Sequence, residues 1–260
     1  MSAEWLDWTI IGPALAAGLL VLSTHVPLGQ VVLDRGIIFI DLAIAQIAAL
    51  GVIVASYFGW EENPLAVQAA AMSAALLAAW FLNWTEMHWP STQEARIGTL
   101  FVMAATGAIL LLAENPHGGD YLKDLLVGQI LWTSWKDLLP VALLYAIVLP
   151  VWFLGRERIG RIGFYVTFAF AVTAAVQVVG VYLVFASLIL PAMATRRLHG
   201  RKRLLAGYGV GGLAYLVGIL ISAGLDLPTG AVMVWVMAIV ATVAGFAFGA
   251  AQGDEVEVRD

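Results

Sequence analysis

The chain has 260 residues, 62% of them hydrophobic and 12% charged, with a formal net charge of -5 and no cysteine. Soluble domains carry about half apolar and a quarter charged residues, so water is not the main solvent of this chain. The lack of cysteine excludes disulfides and thiolate metal ligands, and the net negative charge gives no reason to expect nucleic-acid binding.

Apolar runs of roughly 17 to 25 residues recur from end to end, each long enough to cross a hydrocarbon core about 30 Å thick as a helix. The first, Trp8 to His25, lacks the basic flank and small-residue cleavage site of a secretory signal and reads as a retained span. Breaks at Gly, Pro and charged clusters place spans near 8–26, 37–59, 64–84, 96–114, 138–155, 164–195, 204–224 and 229–250. The stretch 164–195 is too long for one ordinary crossing, and Gly180 near its middle and Pro191 near its end mark where it breaks or turns back. The expectation is an all-α polytopic membrane protein of about eight transmembrane segments, or nine crossings if 164–195 reverses near Gly180. It forms a single transmembrane domain over 1–260, with polar stretches at 85–96, 115–124 and the last eight residues.

The 13 Lys and Arg residues sort into alternate loops. If the chain reverses at Gly180, Arg35, Arg96, Arg156, Arg158, Arg161, Arg196, Arg197, Arg201, Lys202, Arg203 and Arg259 fall on one side, and only Lys123 and Lys136 on the other. That bias puts the basic loops and the acidic tail 251–260 in the cytoplasm and the amino terminus outside. Without the reversal, the loops at 156–161 and 196–203 would lie on opposite sides. No G-x-x-x-x-G-K-[ST] loop is present to hold nucleotide phosphates, so active transport would draw its energy from another chain or an ion gradient.

An ionisable residue inside a membrane span is a functional candidate by default, because burying its charge there costs at least about 2.5 kcal/mol. Asp41, with Gln46 five residues on, is the clearest case, although 3.6 residues per turn sets the two about 140° apart on a helix. Asp41 is either a carboxylate ligand facing a central path, suited to a hard or borderline divalent cation, or an interfacial residue that caps its helix or pairs with Arg35. Asp226, in Leu225-Asp226-Leu227-Pro228-Thr229-Gly230, has turn composition and precedes a helix whose dipole it favours. Gln177, Tyr182 and Ser187 could join helices by hydrogen bonds as easily as line a pore. The four histidines, His25, His88, His117 and His199, fall in or near expected loops. Of these, only His117 has a partner at ligand spacing, Asp120 in the outer loop, and the pair reads either as a first contact for a metal or as a solvated turn. The run Arg196 to Arg203 is a positive anchor. It follows Pro191 and a short run of small residues, which suits a brief helix along the inner surface touching a partner.

These segments, taken in order, resemble the ABC-3 family of permease subunits of bacterial zinc and manganese ABC importers. Pro27 to Arg35 followed by Asp41 is similar to the family's first loop and its Gly-Asp-Ala-x-x-His helix. Ile97-Gly98-Thr99-Leu100-Phe101 resembles the start of its fourth span, and Leu126-Val127-Gly128-Gln129-Ile130-Leu131 its Leu-Phe-Gly-Asp-Ile-Leu segment. Val179-Gly180-Val181-Tyr182-Leu183-Val184 with Leu188-Ile189-Leu190-Pro191-Ala192 resembles its Val-Gly-Val-Leu-Leu-Val and Leu-Ile-x-Pro-Ala pair, and Leu225 to Gly230 its Leu-Asp-Leu-Pro-Ser-Gly. The resemblance implies a permease homodimer, or a pair of related permeases, in a bacterial cytoplasmic (inner) membrane, seated on a cytoplasmic ATPase and fed by an extracytoplasmic metal-binding protein. It implies a metal path through Asp41, with Gln46, Asp226 and His117 as further candidate ligands, and no permanently bound cofactor beside the transported Zn2+ or Mn2+, with iron a further cargo. The segment 191–203, with Pro191, Ala192, Thr195, Arg196 and Arg197, is the implied coupling contact with the ATPase. The sequence departs from the family where a His four residues after the Asp is replaced by Ala45, which leaves oxygen donors.

Two other classes fit less well. A secondary, ion-coupled transporter normally shows internal repeats and more intramembrane charge. An intramembrane enzyme would need a His-Glu-x-x-His, a cysteine or a paired acid set, none of which this sequence provides.

Overall fold

A computed structural model describes residues 8–155 and 158–257, and the regular elements among them are all helical. Arg156, and Arg259 with the end of the expected tail, lie outside the described residues. The elements are α1 (Trp8–Arg35), α2 (Ile40–Tyr57), α3 (Pro64–His88), α4 (Gln93–Leu112), α5 (Gly118–Val127), α6 (Trp135–Gly155), α7 (Gly160–Val179), α8 (Val181–Ala194), α9 (Gly200–Leu225) and α10 (Thr229–Glu257). Short 3-10 turns at Pro90–Thr92 and Ile130–Trp132 precede α4 and α6. Among the described residues, eight helices are long and apolar enough to cross a membrane, while α5 and α8 are shorter. The polytopic all-α architecture read from the sequence is therefore the architecture found.

Local chemistry sets the ends. Asn63 caps α3 by accepting the Ala66 amide at 3.2 Å, with Pro64 in the first turn where its missing N–H is harmless. The carboxylate of Asp137 accepts both the amide and the hydroxyl of Ser134 at 2.9 and 2.7 Å, fixing the entry to α6.

The first helix is longer than expected. The sequence suggested a span ending near residue 26 and a loop from Pro27 to Arg35, but α1 continues through Pro27 to Arg35. A proline inside a helix leaves the carbonyl four residues earlier without its partner. Here that carbonyl belongs to Ser23, and the Tyr208 hydroxyl of α9 donates to it at 3.0 Å. A neighbouring helix thus satisfies the freed group, which is how prolines are tolerated within membrane helices. The same continuity moves His25 from an expected loop edge to the inside of α1.

The break at Gly180 is a reversal. The start of α7 lies beside the end of α1, where the Arg35 guanidinium sits 4.3 Å above the Phe164 ring. The turn after α8 leads into α9, whose Arg203 forms a bidentate pair with Asp34 of α1 at 2.8 and 2.9 Å. Both ends of the stretch therefore return to one end of the bundle. At the turn, the backbones of Gly180 and Gly128 meet so closely that neither position has room for a Cβ, and both glycines have positive φ, 80° and 73°. With 14 residues, α8 measures about 21 Å at 1.5 Å per residue, short of a full crossing of roughly 30 Å. The outcome is eight long spans plus one short returning leg, with α5 packed against that leg.

Two further details differ from the sequence reading. The polar stretch 115–124 is not wholly loop, since it contains most of α5. At the other end, α10 runs on through Glu257 without a break at the start of the expected tail. Within the bundle, α7 packs against α1, α2, α3 and α6, while α8 packs against α1, α2, α9 and α10. These two helices form the core around which the others gather.

Candidate functional site

The buried polar groups converge on this core. Asp41 lies in the first turn of α2. A helix N-terminus favours a carboxylate there, and the Phe39 amide just ahead of it donates to Glu94 Oε1 of α4 at 3.2 Å. Asp41 shares its helix face with Ala45, Ala48 and Val52, all buried. Its side chain is 0% exposed, and neither carboxylate oxygen has a hydrogen-bond partner. It does not pair with Arg35, whose guanidinium lies over Phe164 instead. A buried acceptor left unmatched costs about 1–3 kcal/mol, and more when charged.

The other helices bury further polar groups that the solvent does not reach. On α1, Thr24 and His25 are 1% and 0% exposed. The His25 Nδ1–H donates to the Val21 carbonyl at 2.9 Å, with Thr24 Oγ1 at 3.1 Å, while Nε2 has no partner. From α6, the Tyr145 hydroxyl donates to the Ala171 carbonyl of α7 at 2.7 Å. That phenol is adjacent to Thr24 and within electrostatic reach of Asp41. On α8, Ser187 Oγ donates to the Leu183 carbonyl at 2.7 Å and receives the Tyr215 hydroxyl of α9 at 2.8 Å. Gly18 of α1 admits the Tyr215 ring at close quarters. The tyrosines and Ser187 are thus satisfied by the protein. Asp41 and His25 Nε2 are not, and neither is Thr173 Oγ1 of α7.

The remaining sequence candidates are not brought beside Asp41. Gln46 is buried, but it lies one turn before Leu50, which faces Gly107 of α4, so it occupies a different side of α2 from Asp41. Asp226 is exposed and ends α9 in the left-handed region, φ 52° and ψ 46°; its amide donates to the Ser222 carbonyl. The Ser222 hydroxyl ties the same turn to Leu227 and Thr229 at 2.7 Å. His117 is exposed at the entry to α5, where its amide donates to Asn115 Oδ1 at 2.9 Å. Among the described residues, no three His, Asp or Glu side chains come together as a metal cluster. Asp226 and His117 lie at the end of the bundle opposite Arg35, apart from Asp41.

The coupling candidates divide as well. Pro191 and Ala192 are buried within α8, and Thr195 is buried with its hydroxyl bonded to the Pro191 carbonyl at 2.8 Å. Arg196 and Arg197 are exposed, and the Arg197 guanidinium lies against Gly249 of α10. No separate surface helix follows Pro191; a turn of five residues leads directly to α9. Sequence reasoning missed His25 as an interior residue. The signal was its position two residues before a proline that the helix absorbs.

The sequence profile described as the ABC 3 transport family matches residues 7–160 and 156–248, and the chain belongs to that family. Among solved structures, PsaBC from Streptococcus pneumoniae, in complex with a Fab, aligns with a TM-score of 0.74 at 21% identity, covering 94% of this chain and 95% of that one. An ABC transporter described as metal-chelate type, in an inward-facing conformation, aligns with a TM-score of 0.69 at 16% identity over 95% of this chain and 91% of that one. At these identities the two structures establish a shared fold. No curated protein matches the chain significantly in sequence.

Proposed function

We propose that this chain is the membrane-spanning permease of an ATP-driven importer of a divalent metal ion, zinc or manganese. One observation carries the reading: a carboxylate, Asp41, is held fully buried in a membrane bundle with both oxygens unmatched. An oxygen donor that pairs with nothing in the protein suits a cation that passes by. A site built from few ligands also lets the ion leave as well as enter, as transport requires. Membership of an ABC transport family supports ATP as the energy source, supplied by a separate ATPase chain, and supports a non-catalytic role for this one.

The remaining parts follow from the two ends of the bundle. Arg35, Arg96, Arg158, Arg161 and the run from Arg196 to Arg203 share one end, which the positive-inside bias makes cytoplasmic in a bacterial inner membrane. There the exposed turn after α8, with Arg196 and Arg197, is the contact surface for an ATPase. At the other end, α5 with His117, and the turn at Asp226, offer the surface on which an external metal-binding protein docks. A second permease copy completes the assembly.

The deciding experiment is accumulation of radioactive zinc and manganese in cells lacking their own high-affinity importers. The cells express this chain with its ATPase and binding protein, beside an ATPase-dead control. Uptake of one metal that vanishes in the control establishes the importer and names its cargo. No uptake of either by an assembled complex refutes the reading and favours an ion-coupled carrier of another substrate.

A further inference from the structure

The interior of α1 holds another unmatched group, and its geometry is specific. His25 is 0% exposed, and its Nδ1 bonds a backbone carbonyl at 2.9 Å. A carbonyl only accepts, so Nδ1 carries the hydrogen, and in the uncharged ring the lone pair falls on Nε2. That nitrogen has no partner. An imidazole whose one nitrogen donates to a backbone carbonyl while the other stays bare is the arrangement that metal-binding histidines adopt, because the carbonyl fixes both tautomer and ring orientation.

Placement agrees with this. On α1, His25 lies one turn before Gly29, which packs on Leu188 of α8, and two turns after Gly18, which packs on Tyr215. His25 therefore faces the core formed by α8 and α9. Both α1 and α2 pack against α8, so Asp41 and His25 lie on different helices that share α8 as a neighbour. The residue one turn after Asp41 is Ala45, so this face of α2 offers oxygen and no nitrogen.

We propose that His25 is a second contact for the transported cation, with Nε2 supplying from α1 the nitrogen donor that complements the Asp41 carboxylate on α2. The proposal rests on the reading of the chain as a metal permease. It gives the path a mixed nitrogen and oxygen donor set, which favours zinc over manganese relative to carboxylate alone.

The test uses the full chain assembled with its ATPase in lipid nanodiscs and loaded with one equivalent of zinc. The chain has four histidines, and His88, His117 and His199 are exposed. Replacing those three with Asn leaves His25 as this chain's last imidazole without touching the core. X-ray absorption of this zinc-loaded triple variant is expected to retain imidazole scattering, and to lose it when His25→Asn is added in the same complex; scattering unchanged by that addition overturns the assignment. A companion variant, His25→Asn, keeps an amide donor near the Nδ1 position and puts nothing at Nε2; its zinc uptake is expected to fall at least about tenfold, with manganese uptake less affected. Zinc transport by the wild-type complex, with no imidazole scattering in the triple variant, overturns the assignment and leaves the permease reading standing. Absence of ATP-dependent uptake of any divalent cation overturns the permease reading, and this assignment with it. If His25→Asn fails to fold, the triple variant still overturns the assignment when it shows no imidazole scattering.

Discussion

At the scale of single residues, Asp41 and Tyr208 show how polar groups are kept within an apolar bundle for different ends. Tyr208 answers a need created by Pro27, since its hydroxyl is the partner of the Ser23 carbonyl. Tyr208→Phe is expected to destabilise the protein by about 1–2 kcal/mol, seen as a lower thermal midpoint in detergent, with transport retained in the fraction that stays folded. Asp41 answers no need of the fold, because nothing in the protein accepts or offers a bond to it. Asp41→Asn should therefore lower metal uptake at least about tenfold while thermal stability stays level, since no hydrogen bond within the protein is lost. Unchanged uptake in that variant reduces Asp41 to a structural residue. The candidacy of Asp41 was visible in the sequence because a carboxylate within an apolar run is rare. Its lack of a partner was not, since only packing decides whether Arg35 turns toward it or, as found, toward Phe164.

Among the elements, the turn between α7 and α8 governs the topology. Gly180 and Gly128 touch backbone to backbone, and the carbonyl of Val127 in turn leaves no room for a Cβ at Gly230. Three chain segments thus converge on one point at the far end of the bundle. Gly180→Ala meets both an unfavourable positive φ and the Gly128 backbone, and is expected to cost more than about 3 kcal/mol, with loss of folded protein from the membrane. Gly200→Ala has a similar φ of 55° but open space around it, and should cost only about 1 kcal/mol. Comparing the folded yield of the two variants separates steric contact from backbone strain. The sequence showed a glycine in the middle of an overlong apolar stretch. That the second leg stops after 14 residues, and that α5 packs against it, depended on contacts with residues some 50 positions away.

For the molecule as a whole, the reversal at Gly180 gathers the basic residues. Among the described residues, Lys123 and Lys136 are left at the opposite end from the arginines, as the loop assignment required. Because the chain has no cysteine, single cysteines can be introduced into a clean background. A cysteine at Gly119 is expected to react with a membrane-impermeant maleimide added to intact cells. One at Lys202 should react only after the membrane is opened, and the reverse pattern would invert the topology. Charge reversal at Arg196 and Arg197 together should uncouple ATP hydrolysis from uptake while leaving the permease folded, measured as ATPase stimulation in the assembled complex.

The sequence alone determined that this is a polytopic helical membrane protein, where most of its spans fall to within a few residues, and which carboxylate stands out of place. Those features follow from composition, from length against bilayer thickness and from the cost of charge in hydrocarbon, all of which are local properties of the chain. Tertiary structure decided the rest. It carried α1 through Pro27 because a tyrosine on another helix could complete the broken ladder, and so brought His25 inside. It separated Gln46, Asp226 and His117 from Asp41 because helix rotation and the end of the bundle on which a loop emerges are set by packing between distant segments. Which polar groups remain unmatched is a property of the assembled interior, where each partner is supplied or withheld by a neighbouring helix.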